Sequence, residues 1–420
     1  MSGTGRMLWR TRLLLILVSM TPFILLEAGL WIFGFQGIVD DPYRGFVRHN
    51  RIFLRDGDRM RPDPDRKDLV LYARSFATRK APGTFRIFCV GDSTTWAWAG
   101  REVVDGYPER LQRMLQQGHP DRSFEIVNSG VVRFASFRLI GVMREILQYE
   151  PDMVTLLTGA SEFLEARSYR EWEKREHREP SWIRHWKTLS LMRDLIADSS
   201  GVSREGEELA ERDAFLRADF VDDRFIVRDA EEIRATLEHS AHNVQKMVDM
   251  CRAVGVPIIL MTSPSNLRFP PYMTISNETT TDPILRRTGI LIEAGKEHEA
   301  IGLLTPAIAR DPGAAGLYFR LGAALSATGD FDRAAEAYMR AKDRDGFPHR
   351  ALSRFNQDVR RISEGTEAHL VDLVKAFSGA VPDAIPDFRL FADNCHPLPD
   401  AHGLMAGELL QAIERLGVIE

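Results

Sequence analysis

The feature that most constrains the fold of this chain is the alternation of short apolar runs with stretches that have helical spacing. The apolar runs are rich in β-branched residues, and turn-forming residues separate them from the helical stretches. This alternation is typical of a parallel, doubly wound sheet. The predicted strands are 85–90, 124–127, 153–157, 256–261 and 369–373. The predicted helices are 107–117, 136–147 and 229–253.

An apolar segment precedes this α/β pattern. Residues 13–35 are apolar apart from small polar residues and Glu27, and this length suffices for a helix that crosses a bilayer. Arginines precede the segment, and basic residues tend to remain in the cytoplasm. We therefore expect residues 1–36 to be a cytoplasmic tip and a single-pass anchor in the inner membrane, with the remaining chain extracytoplasmic. A cleaved signal peptide is the alternative, but its apolar core would be shorter and no clear A-x-A site follows.

Composition divides the rest of the chain. Residues 37–84 are polar and rich in Arg, Asp and Pro, so we interpret them as a juxtamembrane linker. The first part of the α/β core covers 85–280, with a charged helical excursion at about 165–223, and its C-terminal part covers 346–420. The 55 basic residues nearly balance the 60 acidic ones, which excludes a strong general attraction to nucleic acid. Three cysteines are too few for a disulfide framework.

A 34-residue period between the two core parts predicts a tetratricopeptide-like helical insert over 283–345. The matched pairs are Gly295 and Gly329, Ala300 and Ala334, Leu304 and Tyr338, Ala307 and Ala341, and Asp311 and Asp345. Two copies are fewer than the three or so that usually fold alone, so we expect the insert to pack on the core. Such repeats present surfaces suited to a protein partner.

Small polar residues follow the predicted strands. Gly-Asp-Ser93 follows the first strand, Asn-Ser-Gly130 the second, and Gly-Ala-Ser161-Glu the third. An Asp-x-x-His unit formed by Asp393 and His396 follows the last strand. Because the carboxyl ends of parallel strands line one crevice, we expect these segments to converge.

The converging residues predict a serine hydrolase site. A serine hydroxyl needs a base to take its proton, and the base needs an acid that fixes its tautomer and stabilises its charged form. We assign these roles to Ser93, His396 and Asp393 respectively. The alternatives are an N-cap role for Ser93 and His402 as the base, although His402 is better explained by the start of a helix. No zinc-site spacing, P-loop or dinucleotide fingerprint occurs, so we expect no metal and no cofactor.

The four segments resemble the motif blocks of the SGNH, or GDSL-type, hydrolase superfamily, over about 85–420 apart from the excursions. The resemblance implies a flavodoxin-like, three-layer α/β/α sandwich with a five-stranded parallel sheet. It implies esterase, lipase, deacetylase or O-acyltransferase activity, with the backbone N–H of Gly130 as an oxyanion donor. The chain looks like a bacterial subgroup with an N-terminal membrane helix and a tetratricopeptide insert. Residues 80–87, 263–267 and 347–350 also fit that subgroup.

One position departs from the family pattern. The third block of the family carries an Asn whose amide donates to the oxyanion, and here that position is Ser161. Loss of an oxyanion donor costs about 3–4 kcal/mol, or roughly 100- to 1000-fold in rate. Backbone N–H groups of Ser93 and Gly130, a closer-set Ser161 or another donor would keep the site active. A weak or inactive site is the other outcome.

The sequence therefore predicts a membrane-anchored, extracytoplasmic serine esterase or O-acyltransferase that forms an acyl-enzyme. The expected substrate is an ester, such as an acylated polysaccharide of the cell envelope or an exported polysaccharide. Hydrolysis and transfer share this chemistry, and the sequence leaves the choice between them open. The alternative function is a non-catalytic or weakly active binding module that uses its repeats to hold a protein partner.

Overall fold

The structure is a computed structural model that describes residues 3–32, 43, 52–63, 75–97, 104–164, 169, 186–188, 191–192, 230–276 and 278–419. The chain forms two compact units. Residues 1–47 and 167–218 make up the first unit, and residues 48–166 and 219–420 make up the second.

The first unit contains helix α1 (Gly3–Ile32), which covers most of the predicted anchor. Among the described residues, however, no helix has both the length and the apolar character needed to span a membrane, so the predicted membrane helix is not supported. Glu27 accepts hydrogen bonds from the backbone N–H groups of Lys187 and Thr188 and from the Thr188 hydroxyl, each at 2.7 Å. Its partners therefore lie in the charged excursion, most of which falls outside the described residues.

The second unit begins with a small antiparallel sheet of strands β1 (Phe53–Asp56), β2 (Arg59–Pro62) and β3 (Phe76–Ala77). The polar composition of this region predicted a linker. Two aromatic residues nevertheless anchor it, since Phe53 and Phe76 are buried and their rings pack edge to face at 5.0 Å. Part of the predicted linker is therefore folded structure.

A buried arginine joins this small sheet to the main sheet. Arg86 donates to the carboxylate of Glu125 at 2.7 Å and to the carbonyl oxygens of Ala77 at 2.9 Å and Tyr149 at 2.6 Å. Its guanidinium also lies 5.5 Å from the centre of the Phe76 ring. A buried charge is tolerated when its N–H groups have such partners, so Arg86 fixes the place of the small sheet.

The main sheet is parallel and has the strand order β5-β4-β6-β7-β8. Counted along the chain within this sheet, the order is 2-1-3-4-5, which is the order of flavodoxin-like folds. The strands are β4 (Thr84–Gly91), β5 (Ser123–Gly130), β6 (Met153–Leu157), β7 (Ile258–Met261) and β8 (His369–Val371). The predicted five-stranded parallel sheet is thus confirmed.

Helices cover both faces of the main sheet. The described helices of this unit are α2 (Ser93–Trp96), α3 (Tyr107–Gly118), α4 (Ser136–Ile146), α5 (Ala230–Ala253), α6 (Thr281–Glu293), α7 (Glu297–Arg310), α8 (Ala315–Ala327), α9 (Phe331–Asp343), α10 (Ser353–Glu364), α11 (Leu373–Gly379) and α12 (Pro399–Arg415). Helices α3, α11 and α12 pack on one face around Ile87 and Cys89, and α4, α5 and α10 pack on the other.

Helices α6 to α9 form the predicted repeat as two consecutive helical hairpins. Gly295 and Gly329 lie in the turns of the two hairpins with φ of 70° and 83°, a conformation that glycine adopts without steric cost. Ala300 and Ala334 are fully buried where the helices touch, as the 34-residue period requires. The tetratricopeptide-like region is therefore confirmed.

The end of the repeat is fastened to the loop that follows β7. The carboxylate of Asp345 accepts the backbone N–H groups of Tyr272 at 2.8 Å and Met273 at 2.9 Å. It also accepts the N–H of Phe347 at 3.1 Å. One buried side chain thus fixes the backbone on both sides of the insert.

Candidate active site

Ser93 lies directly beyond the carboxyl end of β4, at the first position of the short helix α2. The Asp92 carboxylate caps this helix by accepting the N–H of Thr94 at 3.0 Å. Gly91 is required at the strand end, because a Cβ there would lie 2.3 Å from the carbonyl oxygen of Leu157. The strand-to-helix turn therefore holds the Ser93 hydroxyl at the edge of the sheet.

The structure brings Ser93 together with two residues that are distant in sequence. The Ser93 Oγ atom lies 2.8 Å from Nε2 of His396. The Nδ1 atom of the same ring lies 2.6 Å from Oδ2 of Asp393. These are hydrogen-bond distances, so the three side chains form a continuous serine–histidine–aspartate chain.

A tight loop holds the acid and the base. The Oδ1 atom of Asp393 accepts the backbone N–H groups of Cys395 at 3.0 Å and His396 at 2.9 Å. The N–H of Ala392 donates to the carbonyl of His396 at 2.8 Å and closes the loop. One carboxylate oxygen of Asp393 thus holds the backbone while the other holds the imidazole.

Residues from two other segments support this loop, and the sequence analysis gave them no role. The side chain of Asn266 donates to the carbonyl of Asp393 at 3.0 Å, and its backbone N–H donates to the carbonyl of Asn394 at 3.0 Å. The Asn394 amide donates to the carbonyl of His349. Arg350 in turn donates to the carbonyl of Asn266 at 2.6 Å. The only sequence signal was that 263–267 and 347–350 fit the resembled subgroup.

The charges of the acid and the base are coupled. Burial lowers the pKa of His396, whereas the hydrogen bond to Asp393 and the negative charge of that carboxylate raise it, and the net direction is upward. Burial raises the pKa of Asp393, but its hydrogen bond to His396 helps to bring that pKa below its usual value. Asp393 is therefore ionised and favours the imidazolium that forms when His396 takes a proton.

Two further titratable groups near the site have other roles. Burial raises the pKa of Asp92 to about 6, and its helix-capping bond shows a structural function. His402 is fully buried beside Tyr107, with ring centres 6.4 Å apart, and burial lowers its pKa to about 3. His402 thus packs in the core and does not take the position of a general base.

The N–H of Gly130, which the resemblance assigns as an oxyanion donor, already has a partner. It ends β5 directly opposite Gly91 in the parallel register. Its N–H donates to the side-chain oxygen of Asn128 at 3.0 Å. A Cβ at Gly130 would lie 2.3 Å from the backbone nitrogen of Trp96, so the backbone of β5 lies against α2.

Ser161 lies in the loop after β6 and is 1% exposed. Its hydroxyl makes no hydrogen bond within the described residues. The neighbouring Glu162 accepts the N–H of Ser136 at 2.8 Å and contributes to the raised pKa of Asp92, which indicates that this loop lies near the turn that carries Ser93. A buried hydroxyl without a partner costs about 1–3 kcal/mol, so the donor of Ser161 is unused within the described residues.

The loop that holds Asp393 and His396 also contains the ligand types of a metal site. The side-chain donor atoms of Asp393, Cys395 and His396 lie within 4.8 Å of one another. Burial raises the pKa of Cys395, which keeps its thiol protonated, and the hydrogen bond to Asp393 occupies Nδ1 of His396. This arrangement fits an acid–base pair, and a metal would have to break that hydrogen bond.

The fold and the site define an α/β protein with a serine–histidine–aspartate triad at the carboxyl edge of a parallel sheet. Residues 291–352 match the tetratricopeptide repeat family. No curated protein matches the chain in sequence.

Solved structures with a similar fold include GDSL-type lipases and acetylxylan esterases. A GDSL-like lipase from Bacteroides thetaiotaomicron has 10% identity and a TM-score of 0.35, with 79% of this chain and 88% of that chain covered. An acetylxylan esterase from Geobacillus stearothermophilus has 14% identity and a TM-score of 0.37, with 78% and 94% covered. A lipase/acylhydrolase from Enterococcus faecalis has 14% identity and a TM-score of 0.35, with 78% and 95% covered. At such low similarity these structures carry no argument about activity.

Proposed function

We propose that this protein is an SGNH-type serine esterase or O-acyltransferase. The observation that supports the proposal most strongly is the contact of 2.8 Å between Ser93 Oγ and His396 Nε2, with Asp393 on the far side of the ring at 2.6 Å. Acyl transfer through a serine requires a nucleophile, a base and an orienting acid in this order.

In the proposed reaction, His396 takes the hydroxyl proton as Ser93 Oγ attacks the acyl carbon of an ester. Asp393 stabilises the imidazolium, which then gives its proton to the leaving alcohol as the acyl-enzyme forms. His396 then takes a proton from an incoming hydroxyl, which attacks the acyl-enzyme and releases the acyl group from Ser93. Water gives hydrolysis, and a sugar hydroxyl gives transfer.

The tetrahedral oxyanion needs donors aimed at the developing charge. Ser161 supplies a buried hydroxyl that has no other partner within the described residues. The backbone N–H of Ser93 belongs to the first turn of α2, where N–H groups lack partners inside the helix. The N–H of Gly130 contributes once the side chain of Asn128 moves away from it.

Activity toward a small activated ester tests the proposal. The full-length chain should hydrolyse p-nitrophenyl acetate, and both Ser93→Ala and His396→Ala should reduce turnover to a small residual rate. A matched control is Ser326→Ala, which changes a serine of helix α8 in the repeat. If the wild-type chain and the two site variants have the same background rate, the esterase proposal is wrong.

The second candidate function is a non-catalytic binding module. The match of residues 291–352 to a tetratricopeptide repeat and the engaged N–H of Gly130 favour it. It predicts a folded chain without esterase turnover that still holds a protein partner through α6 to α9.

An extracytoplasmic location is a separate part of the proposal, and it rests on the arginines before the apolar segment 13–35. An alkaline phosphatase fused to the C-terminus of the full chain should be active, because this reporter needs an oxidising compartment. A fusion that is inactive although present in full amount would contradict that location.

A further inference from the structure

A row of aromatic rings lies on the surface of the catalytic unit, formed by Phe269, Tyr272 and Phe388. Tyr272 is 37% exposed and Phe388 is 53% exposed, with the half-buried Phe269 between them. The ring centres of Phe388 and Phe269 are 6.1 Å apart, and those of Phe269 and Tyr272 are 5.4 Å apart. We name these three residues the aromatic platform.

The aromatic platform begins beside the loop that carries the acid and the base. The ring of Tyr272 packs against the ring of His349 with centres 5.3 Å apart. The carbonyl of His349 accepts a hydrogen bond from Asn394, which lies between Asp393 and His396 in the chain. The Tyr272 end of the row therefore lies beside the loop that holds Asp393 and His396.

Both ends of the aromatic platform are held in place. Asp345 accepts the backbone N–H of Tyr272 at 2.8 Å. At the other end, Arg389 donates to Asp387 at 2.8 Å and to Asp383 at 2.7 Å, which fixes the chain around Phe388. Rings that are already positioned lose little conformational freedom when a ligand binds, so their contacts translate into affinity.

Charged groups border the rings. Arg268 donates to Asp383 at 2.8 Å and joins the network that contains Arg389. The Arg389 side chain is 44% exposed while it holds the two aspartates. Exposed rings and a partly exposed, hydrogen-bonded arginine thus stand next to each other in the chain at Phe388 and Arg389.

We propose that the aromatic platform is a subsite for a carbohydrate chain, which it holds so that an ester on that chain reaches Ser93. This inference rests on the proposed esterase or acyltransferase function. Sugar rings present apolar C–H faces that stack on aromatic rings, and their hydroxyls bond to charged side chains. An open row also suits an extended chain better than a short acyl group, which a closed pocket would hold.

The test uses full-length chains and a panel of O-acetylated oligosaccharides built on pentose, hexose and hexosamine backbones. The Ser93→Ala variant should bind at least one of them, and the wild-type chain should deacetylate the same glycan or transfer its acetyl group. Phe388→Ala should lower kcat/KM on that glycan, relative to kcat/KM on p-nitrophenyl acetate, by about twofold to tenfold, the worth of one aromatic contact. Phe388→Tyr should restore the ratio, because it keeps the ring.

The matched control is Phe331→Ala, which removes another exposed phenylalanine, at the start of α9 in the repeat. This variant should leave the ratio unchanged. The proposal of a carbohydrate subsite is wrong if no glycan binds, if the ratio is unchanged in Phe388→Ala, or if it falls equally in Phe331→Ala. A larger effect of Phe388→Ala on long-chain p-nitrophenyl esters than on glycans would also overturn it. Wild-type turnover of p-nitrophenyl acetate tests the esterase function separately.

Discussion

The substitution Asp393→Asn tests the triad with little disturbance of the loop. In the structure, Oδ1 of Asp393 accepts the N–H groups of Cys395 and His396, and Oδ2 accepts from Nδ1 of the imidazole. Asparagine retains one oxygen for the backbone and places an NH₂ group opposite Nδ1. The amide donates to Nδ1, so the ring proton moves to Nε2, where it faces Ser93. A ring in this tautomer cannot accept the hydroxyl proton.

The size of the effect follows from that tautomer. The equivalent change in a serine protease lowers kcat by about 10⁴-fold, and this corresponds to about 5.4 kcal/mol at roughly 1.36 kcal/mol per factor of ten. We expect a loss of about 10³- to 10⁴-fold here. The loop keeps both backbone hydrogen bonds, so the free energy of unfolding should change by no more than about 1 kcal/mol.

The assay combines kcat on p-nitrophenyl acetate with urea unfolding of the same preparations. The double variant Ser93→Ala/Asp393→Asn should be no slower than Ser93→Ala, because residues that act as a unit are not additive. If Asp393→Asn lowers kcat by less than about tenfold in a folded chain, the reasoning about the tautomer is wrong. A further loss in the double variant would place Asp393 outside the triad.

Three other predictions follow from the same geometry. Ser161→Asn should raise kcat on p-nitrophenyl acetate, by up to about 100-fold if the missing amide limits the rate, and an unchanged or lower kcat would mean that another donor already fills that role. Because the pKa of His396 is raised above 6.5 and its neutral form is the base, kcat/KM should rise with pH along a limb centred above 6.5. A limb at or below that pH would contradict the coupling to Asp393. Arg86→Leu should lower the free energy of unfolding by about 3 kcal/mol in urea, since it leaves Glu125 and two carbonyls without their partner. A change below about 1 kcal/mol would show that water replaces those bonds.

The sequence was sufficient to predict the main sheet because each strand is a local pattern. Strand β6 has the predicted bounds and β4 extends one residue beyond each end of its prediction, whereas β5 continues to Gly130, beyond the predicted end at 127. The rule that parallel strands place their carboxyl ends at one edge predicted the position of Ser93, which lies just beyond β4. It does not account for Asp393 and His396, which lie beyond α11 in the loop before α12, and their contact with Ser93 was predicted from the Asp-x-x-His unit.

Features that depend on particular side-chain contacts in the folded chain were not predictable. The small sheet was missed because its buried residues, Phe53 and Phe76, stand in a polar stretch that has no clear alternation. The bond from Gly130 N–H to Asn128 and the support of the triad loop by Asn266 depend on side-chain rotamers and loop paths. A local pattern contains no information about either.

The measurement that tests the central claim most directly is covalent labelling of the full-length chain with a fluorophosphonate, followed by mass spectrometry of its peptides. The adduct should lie on Ser93 in the wild-type chain, and His396→Ala should slow its formation by at least about 100-fold, the contribution of a general base. An unlabelled Ser93, or equal labelling in both chains, would show that the hydroxyl is not activated by the imidazole.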